Sequence, residues 1–204
     1  MNLPTIQEIR AAHARIKPYI HHTPVLSSQQ LNRMFDCELF FKCENFQRVG
    51  AFKFRGATNA VLQLGDEERK KGVVTHSSGN HAAALALAAS MNGVKARIVM
   101  PETAPVVKKN AVAGYGAEIT FCKPTLQARE ESTKKIMEES GATLVHPYDN
   151  FNVICGQGTA ALELLSDKPD LDFVIAPVGG GGLMSGTSTC VKGKIGRGSC
   201  RERG

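Results

Sequence analysis

The chain has 204 residues, 42% hydrophobic and 22% charged, which is enough for one large or two small domains with a proper core. Its net charge of +6 is local: Lys192, Lys194, Arg197, Arg201 and Arg203 face only Glu202 near the end, and the near-neutral body argues against a nucleic-acid partner. No run reaches the apolar length of a membrane span, and the start MNLPTIQEIR lacks a leader pattern, so a soluble, cytoplasmic protein is expected.

The first predicted element is a helix over TIQEIRAAHARIKPYI, begun by a threonine cap, followed by a strand at CELFFKCE and a helix at FKFRGATNAVLQL. From Gly72 onward, short β-rich runs alternate with helical patterns. GVVTHSS reads as a strand, NHAAALALAASMNG as an alanine-rich helix, and KARIVMP as a strand stopped by Pro101. APVVKKNAVAGYG reads as a helix opened by proline and closed by glycine, AEITFC as a strand, and TLQAREESTKKIMEESG as a polar amphipathic helix. ATLVHP is the next strand, GQGTAALELLSD a helix, and DFVIAPV a strand running into GGGGLMSG. Strands separated by helices of this length imply βαβ units, a mainly parallel sheet and an α/β fold.

The last segment, GKIGRGSCRERG, has no apolar periodicity and no caps, and it reads as foreign sequence joined to the body, with a native basic tail as the alternative. Cysteines stand at 37, 43, 122, 155, 190 and 200 with no C-x-x-C pair. They read as buried free thiols of a reducing compartment rather than as zinc ligands or disulfides.

Three stretches carry chemistry. In PVGGGGLMSG, glycines 179 to 182 follow a buried-type strand and precede a helix, so bare peptide N–H groups can close around a phosphate at the positive helix end. The pattern is neither a Walker loop nor a dinucleotide fingerprint, and a flexible linker is the competing reading. SSGNH, residues 77 to 81, stands at another strand-to-helix junction and reads equally as an anion-binding turn or as plain N-capping. In AFKFRGA, Lys53 lies beside Phe52, two residues before Arg55. An amine with a phosphate cradle is what pyridoxal phosphate requires, the amine for its aldehyde and the cradle for its phosphate.

Together ENFQRVGAFKFRGATNAV, THSSGNHAAALALAA, HPYDNFNVICGQGT and PVGGGGLMSG resemble, in order and spacing, the fold-type II pyridoxal-phosphate enzymes. Within them the resemblance is nearest to the serine racemase and serine/threonine dehydratase (ammonia-lyase) group, and it extends to about Gly186. It implies a tryptophan synthase β-like architecture of two open, twisted, mainly parallel sheets flanked by helices. Residues 1–71 and 150–190 would form the large cofactor-binding domain, incomplete here. Residues 72–149 would form the small α/β domain, and 191–204 a non-native tail.

By the same resemblance Lys53 carries the cofactor and takes the substrate α-proton, Phe52 lies near the ring, and Asn80 bonds the pyridoxal 3-oxygen. Gly179, Gly180, Gly181, Gly182 and the Leu183 amide hold the phosphate. Ser77, Gly79, Asn80 and His81 receive the substrate carboxylate. Ser78 would return a proton on the opposite face, where threonine dehydratases typically carry alanine. The implied activity is β-elimination from serine or threonine to a keto acid and ammonia, racemisation of serine, or both. The alternatives are a biosynthetic-type threonine dehydratase and an inactive fragment that only binds phosphate ligands. Cysteine-synthase-like β-replacement is disfavoured, because SSGNHA and AFKFRGA do not match its signatures.

The sequence departs from the group at Ala83, where relatives usually have glutamine, and at Tyr148, where some carry an asparagine. Tyr115 is retained. Arg48 and Val49 replace the lysine-threonine pair of nucleotide-binding racemases. The divalent-cation ligands of full-length relatives fall outside the matched motifs, so no metal ligand is assigned. A homodimer or homotetramer and a small amino-acid substrate are the implied partners. The chain as it stands is expected to be unstable or inactive.

Overall fold

A computed structural model describes residues 3–195, with side chains to 193. The chain opens with α1 (Ile6–Ile16), whose Thr5 cap and Glu8 bond reciprocally in a capping box. A short antiparallel pair follows, β1 (Val25–Ser27) with β2 (Phe40–Lys42), bracketing α2 (Gln29–Phe35). Next come α3 (Lys53–Leu62) and α4 (Asp66–Lys71). The regular alternation then begins with β3 (Val73–His76), α5 (Asn80–Met91), β4 (Ala96–Pro101), α6 (Val106–Gly114), β5 (Glu118–Cys122), α7 (Leu126–Ser140) and β6 (Thr143–Leu144). Two helices finish the described chain, α8 (Phe151–Asp167) and α9 (Gly182–Ile195).

The four strands β5-β4-β3-β6 form one parallel sheet in that order. β3 is central, so the SSGNH turn leaves the middle of the sheet at its carboxyl edge, where open α/β sheets place their ligands. Alanine-rich α5 fits here because small side chains let it be covered on most sides. Ala82, Ala84, Leu85, Ala86, Ala88 and Ala89 are all fully buried, in one core with Phe54 and Val61 of α3 and Ile98 and Met100 of β4.

Helix α8 is the joint between this unit and the glycine loop. A β-carbon on Gly156 would stand 2.5 Å from the Arg55 carbonyl oxygen and 2.7 Å from the Gly56 Cα, so α3 and α8 touch through bare backbone. One turn face away, a β-carbon on Gly186 would meet the Gly158 nitrogen at 2.7 Å, so α9 docks on α8 in the same way. Lys53 and the glycine loop therefore both take their positions from α8.

Two expectations of the elements need correction, and with them the second sheet. The helix expected from Gly156 begins at Phe151, because Asn150 caps it through a 3.0 Å bond from the Val153 N–H. The stretch DFVIAPV keeps the alternation of a strand, with Phe173 and Ile175 exposed and Val174 packed inward, but among the described residues it pairs with no neighbour and is not a strand. The second sheet is accordingly the two-stranded antiparallel pair rather than a mainly parallel one. Helix α9 carries the chain through Ile195, so the expected tail boundary at 191 does not coincide with the end of an element. Residues 196–204, including most of that proposed tail and Cys200, lie outside the described residues. The expectation of buried free thiols is met at Cys122, Cys155 and Cys190 but not at exposed Cys37.

Candidate functional site

Four consecutive residues, Val145 to Tyr148, tie the motifs together. Lys53 is the first residue of α3 and donates from Nζ to the Pro147 carbonyl at 2.6 Å. His81, in the first turn of α5, bonds through Nε2 to the Val145 carbonyl at 3.0 Å. The ring of His146 meets His76, at the end of β3, edge to face at 5.8 Å, and Tyr148 at 4.6 Å. Tyr148 in turn lies against the glycine loop: a β-carbon on Gly180 would fall 2.2 Å from its ring, and one on Gly182 would fall 2.8 Å from its carbonyl oxygen. The amine, the SSGNH turn and the glycine loop thus meet around one strip of chain.

Lys53 is half-buried, and burial lowers its pKa from the ordinary lysine value, which favours the neutral, nucleophilic amine. Its partners are a neutral carbonyl and the Phe52 ring, 5.3 Å from Nζ, and among the described residues no carboxylate pairs with it. Arg55, two residues on, has the opposite task. It is fully buried, bonded to Glu44 at 2.7 Å and to both carboxylate oxygens of Glu163 at 2.8 Å. Burial works against its charge, and these carboxylates outweigh burial, so the guanidinium stays charged and anchors α3.

The glycine loop has the form of an anion cradle. Gly180 and Gly182 are required by the closeness of Tyr148, and Gly181 by a φ of +84°. Gly179 meets nothing within 4 Å. Gly182 starts α9, so the first-turn N–H groups, including that of Leu183, have no intrahelical partner.

At the SSGNH turn, capping is not what the polar residues do. The cap position of α5 falls on Gly79 and no side chain bonds there. Ser77 Oγ accepts the Gly79 N–H at 3.2 Å, which shapes the turn. The hydroxyl of Ser78 and the carboxamide of Asn80 have no hydrogen-bond partner among the described residues and stand at the opening, Asn80 exposed and Ser78 half-buried. His81 points the other way. Its imidazole is 2% exposed and turned inward, and burial pushes its pKa down to about 4 despite the Val145 bond. Near neutral pH it is uncharged, and its imidazole is committed to the Val145 carbonyl.

Sequence reasoning did not assign site roles to His76, His146, Tyr148 or Gln157. Burial lowers the pKa of both His76 and His146. His146 accepts the Asp149 N–H at Nδ1, 2.9 Å away, which leaves the proton of the neutral ring on Nε2. The Gln157 side chain is fully buried with both Nε2 and Oε1 unpartnered. Each such group costs about 1–3 kcal/mol. The only signal for these residues was their place inside the quoted motifs.

An amine kept nucleophilic and a cradle of bare N–H groups on neighbouring segments suit a molecule with an aldehyde at one end and a phosphate at the other. The chain belongs to the pyridoxal-phosphate dependent enzymes, whose family model matches residues 16–201. Its relatives narrow the class. It is 54% identical over 190 residues to a serine racemase of Dictyostelium discoideum, covering 93% of this chain and 58% of the relative. It is 53% identical over 187 residues to a beta-hydroxyaspartate dehydratase of Paracoccus denitrificans, covering 92% and 59%. The structure of maize serine racemase superposes with a TM-score of 0.92 at 50% identity, over 94% of this chain and 58% of that one. The chain therefore spans less than two thirds of the length of these relatives. Among the described residues no three His, Cys, Asp or Glu side chains gather as a metal site, and no helix is long and apolar enough to cross a membrane.

Proposed function

We propose that this chain carries the site of a lyase and racemase acting on small β-hydroxy amino acids: serine, threonine or 3-hydroxyaspartate to a keto acid and ammonia, and L-serine to D-serine. The observation that carries the reading is Lys53, a partly desolvated amine with no counter-ion among the described residues, held on the Pro147 carbonyl beside the residue that abuts the glycine loop. The names of the relatives, serine racemases and hydroxyaspartate dehydratases, point to the same substrates. Bound pyridoxal phosphate supplies an aldehyde for amines and an electron sink that acidifies the substrate Cα–H.

The chain's own residues supply the rest. Gly179 to Gly182 and the Leu183 amide hold the phosphate, and Asn80 bonds the ring oxygen. Ser77, Gly79, Asn80 and the His81 N–H receive the carboxylate, so the Cα–H is presented to Lys53. The Lys53 amine, whose pKa burial lowers toward the range where it can accept a proton, takes it. Ser78, whose hydroxyl is uncommitted, delivers a proton from the other side and inverts the centre. Without that return, departure of the β-hydroxyl leads to elimination. Residues 1–71 and 150–190 form the cofactor-binding part and 72–149 the part that covers it, a division supported by the self-contained sheet over 73–144. A divalent cation, a cytoplasmic location and a homodimer or homotetramer belong to the same reading of the whole protein.

The test is direct. Pyridoxal phosphate added to the purified chain should give a visible absorbance band that Lys53→Ala abolishes. L-serine, L-threonine and L-threo-3-hydroxyaspartate should then yield keto acid, and serine its D-isomer, with Ser78→Ala losing the second activity before the first. A band that survives Lys53→Ala would overturn the assignment. A chain that binds inorganic phosphate but gives no band would favour the phosphate-binding alternative.

A further inference from the structure

Gln157 stands apart from the other buried polar groups. Among the described residues it is the only one with two separate buried side-chain polar atoms that both lack a partner. Its position joins the two halves of the site. The Cγ atom lies 3.0 Å from where a β-carbon of Gly56 would stand, one turn along from Lys53, and Oε1 lies 3.1 Å from the corresponding point on Gly182. The Tyr148 carbonyl oxygen crowds that same point on Gly182 at 2.8 Å and accepts no recorded bond. Neither amide atom of Gln157 shows surface to solvent, so a phosphate resting on the cradle does not touch it directly. The Gln157 carboxamide and the Tyr148 carbonyl thus crowd the same point beside Gly182, which makes the peptides of Tyr148 and Gly182 its neighbours in the loop.

We propose that Gln157 is a positioning residue of the glycine loop, a latch whose carboxamide, without a partner among the described residues, takes the peptide groups of Tyr148 and Gly182 as partners when an anion occupies the loop and so sets the first turn of α9 for it. This rests on the reading of the loop as a phosphate cradle. A side chain that served only to fill space between α3 and α9 would do so better as methionine, which has similar length and no polar atoms to bury. A glutamine here is a cost to the fold unless the loop uses it.

The 204-residue chain and its Gln157→Met and Gln157→Glu variants are titrated with pyridoxal phosphate, with pyridoxal, which keeps the aldehyde and lacks the phosphate, and with inorganic phosphate. Inorganic phosphate is read by the melting temperature it adds, and the two aldehydes by the visible band formed with Lys53. Gln157→Met should weaken both phosphate-bearing ligands about tenfold, leave pyridoxal within about twofold, and keep or raise the melting temperature of the unliganded chain. Gln157→Glu should weaken them further, because it adds a negative charge below the cradle, and it carries the test alone should the methionine variant not fold. Unchanged phosphate affinity in both variants would reduce Gln157 to a space-filler and overturn the proposal. Equal loss of pyridoxal would overturn it too, by moving the effect to Lys53. Wild-type chain that condenses with pyridoxal but ignores inorganic phosphate would overturn the cradle itself, and the latch with it.

Discussion

Lys53 and His81 hang on the same strip of chain: the amine bonds the Pro147 carbonyl at 2.6 Å and the imidazole bonds the Val145 carbonyl at 3.0 Å. The two contacts bind α3 and α5 to the segment after β6, and the charge on Lys53 is itself among the influences that keep His81 neutral. The first prediction follows from His81. Its folded pKa is about 4 against an ordinary 6.5, so between those values the unfolded chain takes up a proton that the folded chain refuses. Stability should be intact above pH 6.5 and fall as the pH drops toward 4, by about 3 kcal/mol in all. His81→Gln, which keeps a donor for Val145, should flatten that limb in urea titrations across the same range.

The contact of Gly56 with Gly156 gives the second. Alanine at 156 would put a methyl group 2.5 Å from the Arg55 carbonyl, which forces α3 off α8 and moves Lys53 with it. Gly156→Ala should cost about 1–3 kcal/mol or more and lower the yield of the visible band at fixed pyridoxal phosphate. Gly114→Ala is the control. Nothing lies within 4 Å of its would-be methyl in α6, and it should be neutral or stabilising by up to about 1 kcal/mol.

Within the glycine loop the four positions should not respond alike. Gly179→Ala meets open space and should keep phosphate affinity. Gly181→Ala is strained by its φ of +84°, and alanine at 180 or 182 strikes Tyr148, so these three should lose it. A phosphate titration of the four variants, read by melting temperature, gives the order.

Glu163 should be intolerant of change. Burial would raise its pKa, but bonds from His13 and Arg55, with Lys42 at 2.8 Å, outweigh that and hold the carboxyl far below its usual range. Its contribution is therefore present above the ordinary carboxylate pKa of 4.5 and is lost only in strong acid. Glu163→Gln takes from buried Arg55 one of its two carboxylates, leaving Glu44 alone, and should cost about 3–5 kcal/mol at neutral pH. Added salt should rescue little of it, since the pair is out of solvent.

The alternation of strands and helices from Val73 to Leu144 was legible in the sequence because each element there has its own period and its own stop, such as Pro101 or Gly141. The amine and the loops were legible because glycine runs and a lone lysine are local signals. What escaped was relational. DFVIAPV has the composition and alternation of a strand, but strand identity also needs a neighbour to complete the ladder. The start of α8 was missed together with its cap at Asn150 and its first turns over Phe151 to Cys155. Tyr148 and Gln157 act by where they sit, against Gly180 and Gly182, and no period or composition reports that.

The bond from Lys53 to Pro147 joins residues 94 apart, and the loop that abuts Tyr148 comes later still. A molecule gripped at one end by the amine and at the other by the loop would act as a removable crosslink across most of the chain. Closing so long a circuit deprives the unfolded chain of freedom, so vitamin supply and the lifetime of the protein would rise and fall together.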